Sequence, residues 1–89
     1  PSAAFNTSSS LVSIGDTITF TDQSQSGTYP IQTYSWDFGD DNTNSDSSIV
    51  EHAYADSGLY SPSLTVSDGY LFHTLTKNEH INVNKGSEE

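Results

Sequence analysis

Thr33-Tyr34-Ser35-Trp36-Asp37-Phe38 decides the fold of this chain, because large rings alternate strictly with small or charged side chains along it. In an extended strand successive side chains point to opposite faces, so Tyr34, Trp36 and Phe38 share one face and Ser35 and Asp37 take the other. Three rings in register make a large contribution to a core. Thr17-Ile18-Thr19-Phe20-Thr21 repeats the pattern, with Ile18 and Phe20 on the buried side and three threonines on the other. In Leu59-Tyr60-Ser61-Pro62-Ser63-Leu64-Thr65-Val66, Tyr60, Leu64 and Val66 share a face. Pro62 sits at the inward position between them and cannot donate to a ladder, which marks a bulge or a sheet edge. Weaker segments at Ala3 to Thr7, Ile49 to Tyr54, Phe72 to Thr76 and Ile81 to Val83 complete an all-β chain of roughly seven short strands.

Composition agrees with that reading and excludes several functions. At 89 residues and 9.6 kDa, with 31% hydrophobic residues, the chain supports one domain with one modest core. Residues 1–84 are assigned to that domain and residues 85–89 to a linker or tail. Acid-rich chains are often disordered, but five Tyr, four Phe and one Trp supply more cohesion than a disordered acidic tail carries. Sixteen serines and ten threonines suit the solvent face of strands and the turns between them. With 2 Lys, no Arg and 12 Asp plus Glu, the formal charge is −10, so nucleic acid is repelled and is not expected as a partner. The absence of cysteine removes a disulfide scaffold, a thiolate zinc site and a cysteine nucleophile together. No apolar run approaches the ~20 residues of a membrane helix, and no membrane insertion is expected. The chain starts without a basic segment leading into an apolar one, and it reads as a piece of a longer chain.

Asp56-Ser57-Gly58-Leu59-Tyr60 has the form that opens a late strand in immunoglobulin-like sandwiches, where the tyrosine hydroxyl bonds back to the backbone at a corner. Trp36 stands where the core tryptophan of such sandwiches stands. Four linked stretches then follow in order: Tyr34-Ser35-Trp36-Asp37-Phe38-Gly39-Asp40, His52-Ala53-Tyr54, Ser57-Gly58-Leu59-Tyr60 and Leu64-Thr65-Val66-Ser67-Asp68-Gly69. Together they resemble the polycystic kidney disease (PKD) domain family over about residues 3–84. Two positions depart from the family pattern: Asp41 replaces a glycine after Gly39-Asp40, and Pro62 replaces an apolar strand residue. The resemblance implies an immunoglobulin-like β-sandwich of about seven strands in two antiparallel sheets. It also implies a secreted or cell-surface parent chain, with catalytic or surface-layer domains beside this one. In such a chain the module either holds its parent against an insoluble substrate such as collagen or polysaccharide, or serves as a passive spacer with no ligand of its own. It is expected to be non-catalytic and monomeric in isolation.

Motifs that would argue for an enzyme dissolve on inspection. Asp56-Ser57-Gly58 matches the aspartic-protease triplet, but Tyr54-Ala55 ahead of it is not an apolar strand and Leu59-Tyr60 follows at strand spacing, as in a turn before a strand. Asp37-Phe38-Gly39 mimics a kinase metal motif in a chain too short to hold the other kinase loops. His52, His73 and His80 lack the spacing of a helical zinc site. Calcium is the one cofactor the residues suggest. Asp40, Asn42, Asn44, Asp46 and Glu51 follow an EF-hand-like register, but Ser45 stands where the turn glycine belongs and the flanks are strands. Sandwich topology offers a second set, Asn6, Asp22 and Asp68, at the end where the first strand and two loops meet. Turn capping is the alternative role for Asp22 and Asp68.

Candidate ligand-binding residues are aromatic. Tyr29 beside Pro30, and Tyr70 with Phe72 after Gly69, fall in loops at one end of the sandwich, where exposed rings stack on sugar faces or on collagen; the alternative is that they close the core. Trp36 belongs to the core by its alternation with Tyr34 and Phe38, and would become the leading binding residue only if that face were open. Asn6-Thr7-Ser8 is a glycosylation sequon, meaningful only in a eukaryotic secretory pathway.

Overall fold

The computed structural model describes residues 1–45 and 47–85. In chain order the strands are β1 (Phe5–Thr7), β2 (Leu11–Ser13), β3 (Thr17–Asp22), β4 (Thr33–Asp37), β5 (Thr43–Ser45), β6 (Ile49–Ala53), β7 (Gly58–Tyr60), β8 (Ser63–Ser67), β9 (Phe72–Thr76) and β10 (Ile81–Asn84). They form three sheets, ordered β1-β3-β6, β2-β10-β7 and β5-β4-β8-β9, and the described residues contain no helix. The first sheet is antiparallel, with Phe20 opposite Val50 and Phe5 opposite Asp22. In the four-stranded sheet Trp36 lies opposite Leu64 and Tyr34 opposite Val66. β10 pairs in parallel with β2 and antiparallel with β7.

Alternation dictates which side chains meet. Phe5, Ile18, Phe20 and Val50 from the first sheet close against Trp36, Leu64 and Val66 from the four-stranded one, while Ile81 and Val83 extend the core under β10. Trp36 is the centre of this contact. Phe5 and Phe20 both meet it nearly edge to face, at centroid distances of 5.3 and 5.9 Å, a geometry that sets the positive edge of one ring against the electron-rich face of the other. Its indole N–H donates to the Ser47 carbonyl at 2.7 Å, so the one polar atom of the side chain is satisfied inside the core.

The fold is a β-sandwich, but the expected two antiparallel sheets are three, one of them holding the parallel pair of β2 and β10, and the strand count rises from the expected seven to ten, for two physical reasons. β2 and β5 are three-residue edge segments; β5 is exposed throughout, so neither carries the periodic burial that identifies a strand. The stretch from Leu59 to Val66 is not one strand. It breaks at Ser61-Pro62, with β7 joining β10 on one side and β8 joining β4 and β9 on the other. Pro62 is fully buried at that break, where no ladder bond is asked of its nitrogen. The bulge or edge expected at Pro62 is thus the point where the chain changes sheet.

Candidate functional site

The motif residues on which the family resemblance rests form a structural latch. Gly39 turns the chain after β4 with φ 87°, and a Cβ there would meet the Ser61 backbone at 3.0–3.3 Å, so only glycine fits. The turn places Asp40 so that its carboxylate accepts the His52 Nε2–H at 2.7 Å. The His52 ring stacks on Phe38, centroids 4.1 Å apart and 6° from parallel, and meets Tyr54 edge-on. Burial pushes the Asp40 carboxyl up, but hydrogen bonds from the side chains of His52 and Asn42, the Asn42 backbone N–H and the His52 charge together hold it below the ordinary carboxylate value. Tyr54 donates its buried hydroxyl to the Phe38 carbonyl at 2.7 Å, and burial drives its pKa well up. Tyr60 stacks on Tyr54 and donates to the Asp56 carbonyl at 2.8 Å, forming the corner expected from Asp56-Ser57-Gly58-Leu59-Tyr60. Asp56 therefore lies in the turn before β7.

The aromatic candidates are placed differently from Trp36. Trp36 has 0% of its surface exposed and offers a ligand nothing. Tyr29, Tyr70 and Phe72 are 49%, 75% and 74% exposed. The structure brings Tyr29 and Tyr70 into ring contact, centroids 4.9 Å apart, across the β3–β4 and β8–β9 loops. The chain start reaches the same end: Ser2 bridges Gln25, and the Ala3 N–H donates to Nδ1 of His73 at 2.8 Å. Phe72 opens β9 and lies in register with Ser67, which lies in register with Thr33.

Phe72 thereby belongs to the outer face of the four-stranded sheet, and that face is almost all hydroxyl. Ser45, Ser35, Thr65 and Thr74 form one row across its four strands, with the Thr65 and Thr74 hydroxyls 2.7 Å apart. This row, and the exposed Leu71 beside Tyr70, escaped the sequence reading. Serine and threonine mark any solvent face, and only the register shows that they align; the signal in the sequence was their excess alone.

The expected calcium donors take separate roles. Asp68 is buried, and its Oδ1 accepts the N–H groups of Tyr70 and Leu71, both at 2.9 Å; these bonds hold its carboxyl below the usual range and close the β8–β9 turn. Asp22 caps its own turn, accepting the Ser24 N–H at 3.1 Å. Asn6 lines a cavity with Lys77 and His80, to which neither Asp22 nor Asp68 contributes. Along the EF-hand-like register Asp40 holds His52, Asn44 lies in β5 and Glu51 in β6, while Asp46 lies outside the described residues, as do residues 86–89 of the expected tail. Among the described residues no three His, Asp or Glu side chains gather at metal-binding distance.

A family model described as PKD domain matches residues 1–83, and the chain belongs to that family. It is similar to the PKD1 domain of Vibrio anguillarum Epp, at 26% identity and a TM-score of 0.75, covering 91% of this chain and 92% of that one. It is also similar to the PKD1 domain of the Vibrio cholerae metalloprotease PrtV, at 28% identity and a TM-score of 0.73, covering 94% and 96%. A third structure comes from work on the promiscuous specificity of carbohydrate-binding modules of the β-sandwich superfamily; it superposes with a TM-score of 0.88 at 24% identity, a likeness of fold. That match covers 97% of this chain and 35% of the other, so this chain spans about a third of that structure's length. No curated protein matches the sequence. No helix among the described residues is long and apolar enough to cross a membrane.

Proposed function

We propose that this PKD domain is a non-catalytic accessory module of a secreted or surface protein, which holds its parent against an insoluble extracellular substrate, collagen or polysaccharide. The observation that carries this reading is the placement of Tyr29, Tyr70 and Phe72: three large rings left open at one end of a sandwich whose core encloses the remaining large aromatic side chains wholly or in part. Exposed rings of this kind lose little on ordering and gain by stacking on sugar faces or imino-acid rings. The hydroxyl face beside Phe72 extends the surface with groups that hydrogen-bond to such polymers. Asp40 and His52 are a carboxylate and imidazole in direct contact, and the imidazole is clamped between Phe38 and Tyr54 as part of the latch, which supports a module without chemistry of its own.

One observation favours a passive spacer instead. The described chain enters beside Gln25, past the Asp22 end of β3, and β10 leaves beside Ser13, near its Thr17 end, so the two ends lie at opposite poles, as in beads on a string. Passing the isolated domain over collagen, chitin and cellulose separates the two readings. Saturable retention on one of them supports the binding module; flow-through on all three supports the spacer.

A further inference from the structure

The sandwich is open along one edge. β1 is an edge of the first sheet and β9 an edge of the four-stranded sheet, and neither pairs with the other. Past β1 the chain crosses to β2 through Ser8-Ser9-Ser10, and past β9 it turns into β10 through Lys77-Asn78-Glu79-His80. These crossings leave a cavity of about 280 Å³ lined by Asn6, Thr7, Ser9, Ser10, Lys77 and His80. That is small for a ligand site, with room for one sugar unit.

Its lining is unlike the rest of the surface. Lys77 is one of only 2 cationic side chains in a chain with 12 acids, yet it makes no ion pair among the described residues. Its ammonium sits 5.3 Å from the centroid of Phe5, a cation–π contact that holds the charge beside the cavity. His80 is fixed by a 3.0 Å hydrogen bond between its Nε2 and the Thr7 hydroxyl. Burial first, and Lys77 second, push its pKa below the ordinary histidine value, so the neutral ring leaves Lys77 as the sole positive charge. The Asn6 carboxamide and the Ser10 hydroxyl have no protein partner among the described residues, which leaves a donor and acceptor set beside the ammonium.

We propose that this cavity is a binding site for a single sugar carboxylate, a uronate unit, with Lys77 holding the carboxylate and Asn6, Ser9 and Ser10 meeting the ring hydroxyls. One point charge flanked by an amide and hydroxyls matches a ligand with one negative charge and several hydroxyls. The site is separate from the aromatic end, because Phe72 opens β9 and Lys77 follows its far end, roughly 16 Å along the strand.

Amide and imidazole NMR of the domain, titrated with sodium glucuronate, glucose, sodium acetate and a glycine dipeptide at matched ionic strength, tests this. Saturable shifts at Asn6, Ser10 and His80 are expected with glucuronate, and binding at least about tenfold weaker with the other three. Lys77→Gln is expected to weaken glucuronate about tenfold, and Asn6→Asp, an exposed change that sets a like charge against the carboxylate, to weaken it comparably with the spectrum otherwise intact. Alanine at Tyr29, Tyr70 and Phe72 is expected to leave these shifts unchanged. Absence of saturation, equal response to acetate, tighter binding of the dipeptide, or glucuronate binding indifferent to both Lys77→Gln and Asn6→Asp would each overturn the assignment.

Discussion

At Asp41 the backbone adopts φ 72°, two residues after Gly39 takes φ 87°. The sequence pattern singles out Asp41 as a departure from glycine, and the left-handed conformation gives that departure an energetic cost, since a Cβ is disfavoured there. Asp41→Gly is therefore expected to stabilise the domain by about 0.5 kcal/mol, the relief of strain exceeding the added freedom of the unfolded chain; a melting temperature higher by about 2–4 °C would show it. Gly39→Ala is expected to cost about 2 kcal/mol or more, because strain there adds to a collision with the Ser61 backbone. The two corner tyrosines separate by burial. Tyr54→Phe strands the buried Phe38 carbonyl and is expected to cost about 1–3 kcal/mol in urea titration, whereas Tyr60→Phe, whose bond to Asp56 is solvent-exposed, is expected to cost about 1 kcal/mol or less. Asp40 links the latch to pH. Its carboxyl is held below 3.8, so its stabilising effect is complete above that value and is lost as pH falls through the lower folded value. The stability difference between the wild type and Asp40→Asn, followed by urea titration from pH 6 to pH 2.5, is expected to shrink across that acidic window and to stay flat above it. The role of Trp36 was legible from alternation alone, and the corner formed by Tyr60 from the resemblance of Asp56-Ser57-Gly58-Leu59-Tyr60 to the strand opening of immunoglobulin-like sandwiches. The bond from Tyr54 to Phe38 was not, because it joins residues 16 apart through a turn whose path depends on Gly39.

Alternating strands such as β3, β4 and β8 were legible because each buries one face, and a register slip would turn every ring outward. Where that condition lapses, reading from sequence lapses with it. β2 and β5 exist through pairing with longer neighbours and carry no pattern of their own. The segment from Leu59 to Val66 keeps its alternation across Pro62 while its partners change, which no local pattern records. Pro62 belongs to this scale. Pro62→Ala is expected to cost about 1–3 kcal/mol by denaturant unfolding, since it loosens the unfolded chain, opens a void and introduces an N–H at a buried sheet crossing. The aromatic platform follows the same logic: loop position placed Tyr29 and Tyr70 at one end, but their contact, and the hydroxyl rows beside Phe72, arise from strand register.

Across the whole molecule, a formal charge of −10 on a small sandwich opposes compaction. Added sodium chloride is expected to raise the melting temperature by screening. Because Asp22 and Asp68 cap turns and Asn6 faces the cavity of Lys77, calcium and magnesium at equal ionic strength are expected to raise it equally. A further rise specific to calcium would reveal a site that the donor positions do not form. The same economy of charge and core leaves the open rings as the feature that distinguishes a binding module from a spacer. The most direct measurement is a retention isotherm on the polymer that holds the domain, comparing the wild type with Tyr29→Ala, Tyr70→Ala, Phe72→Ala combined, after both are shown to melt alike. Saturable binding by the wild type and its loss in the variant is the predicted result. Equal retention of the two proteins, or flow-through of both on collagen, chitin and cellulose, would contradict it.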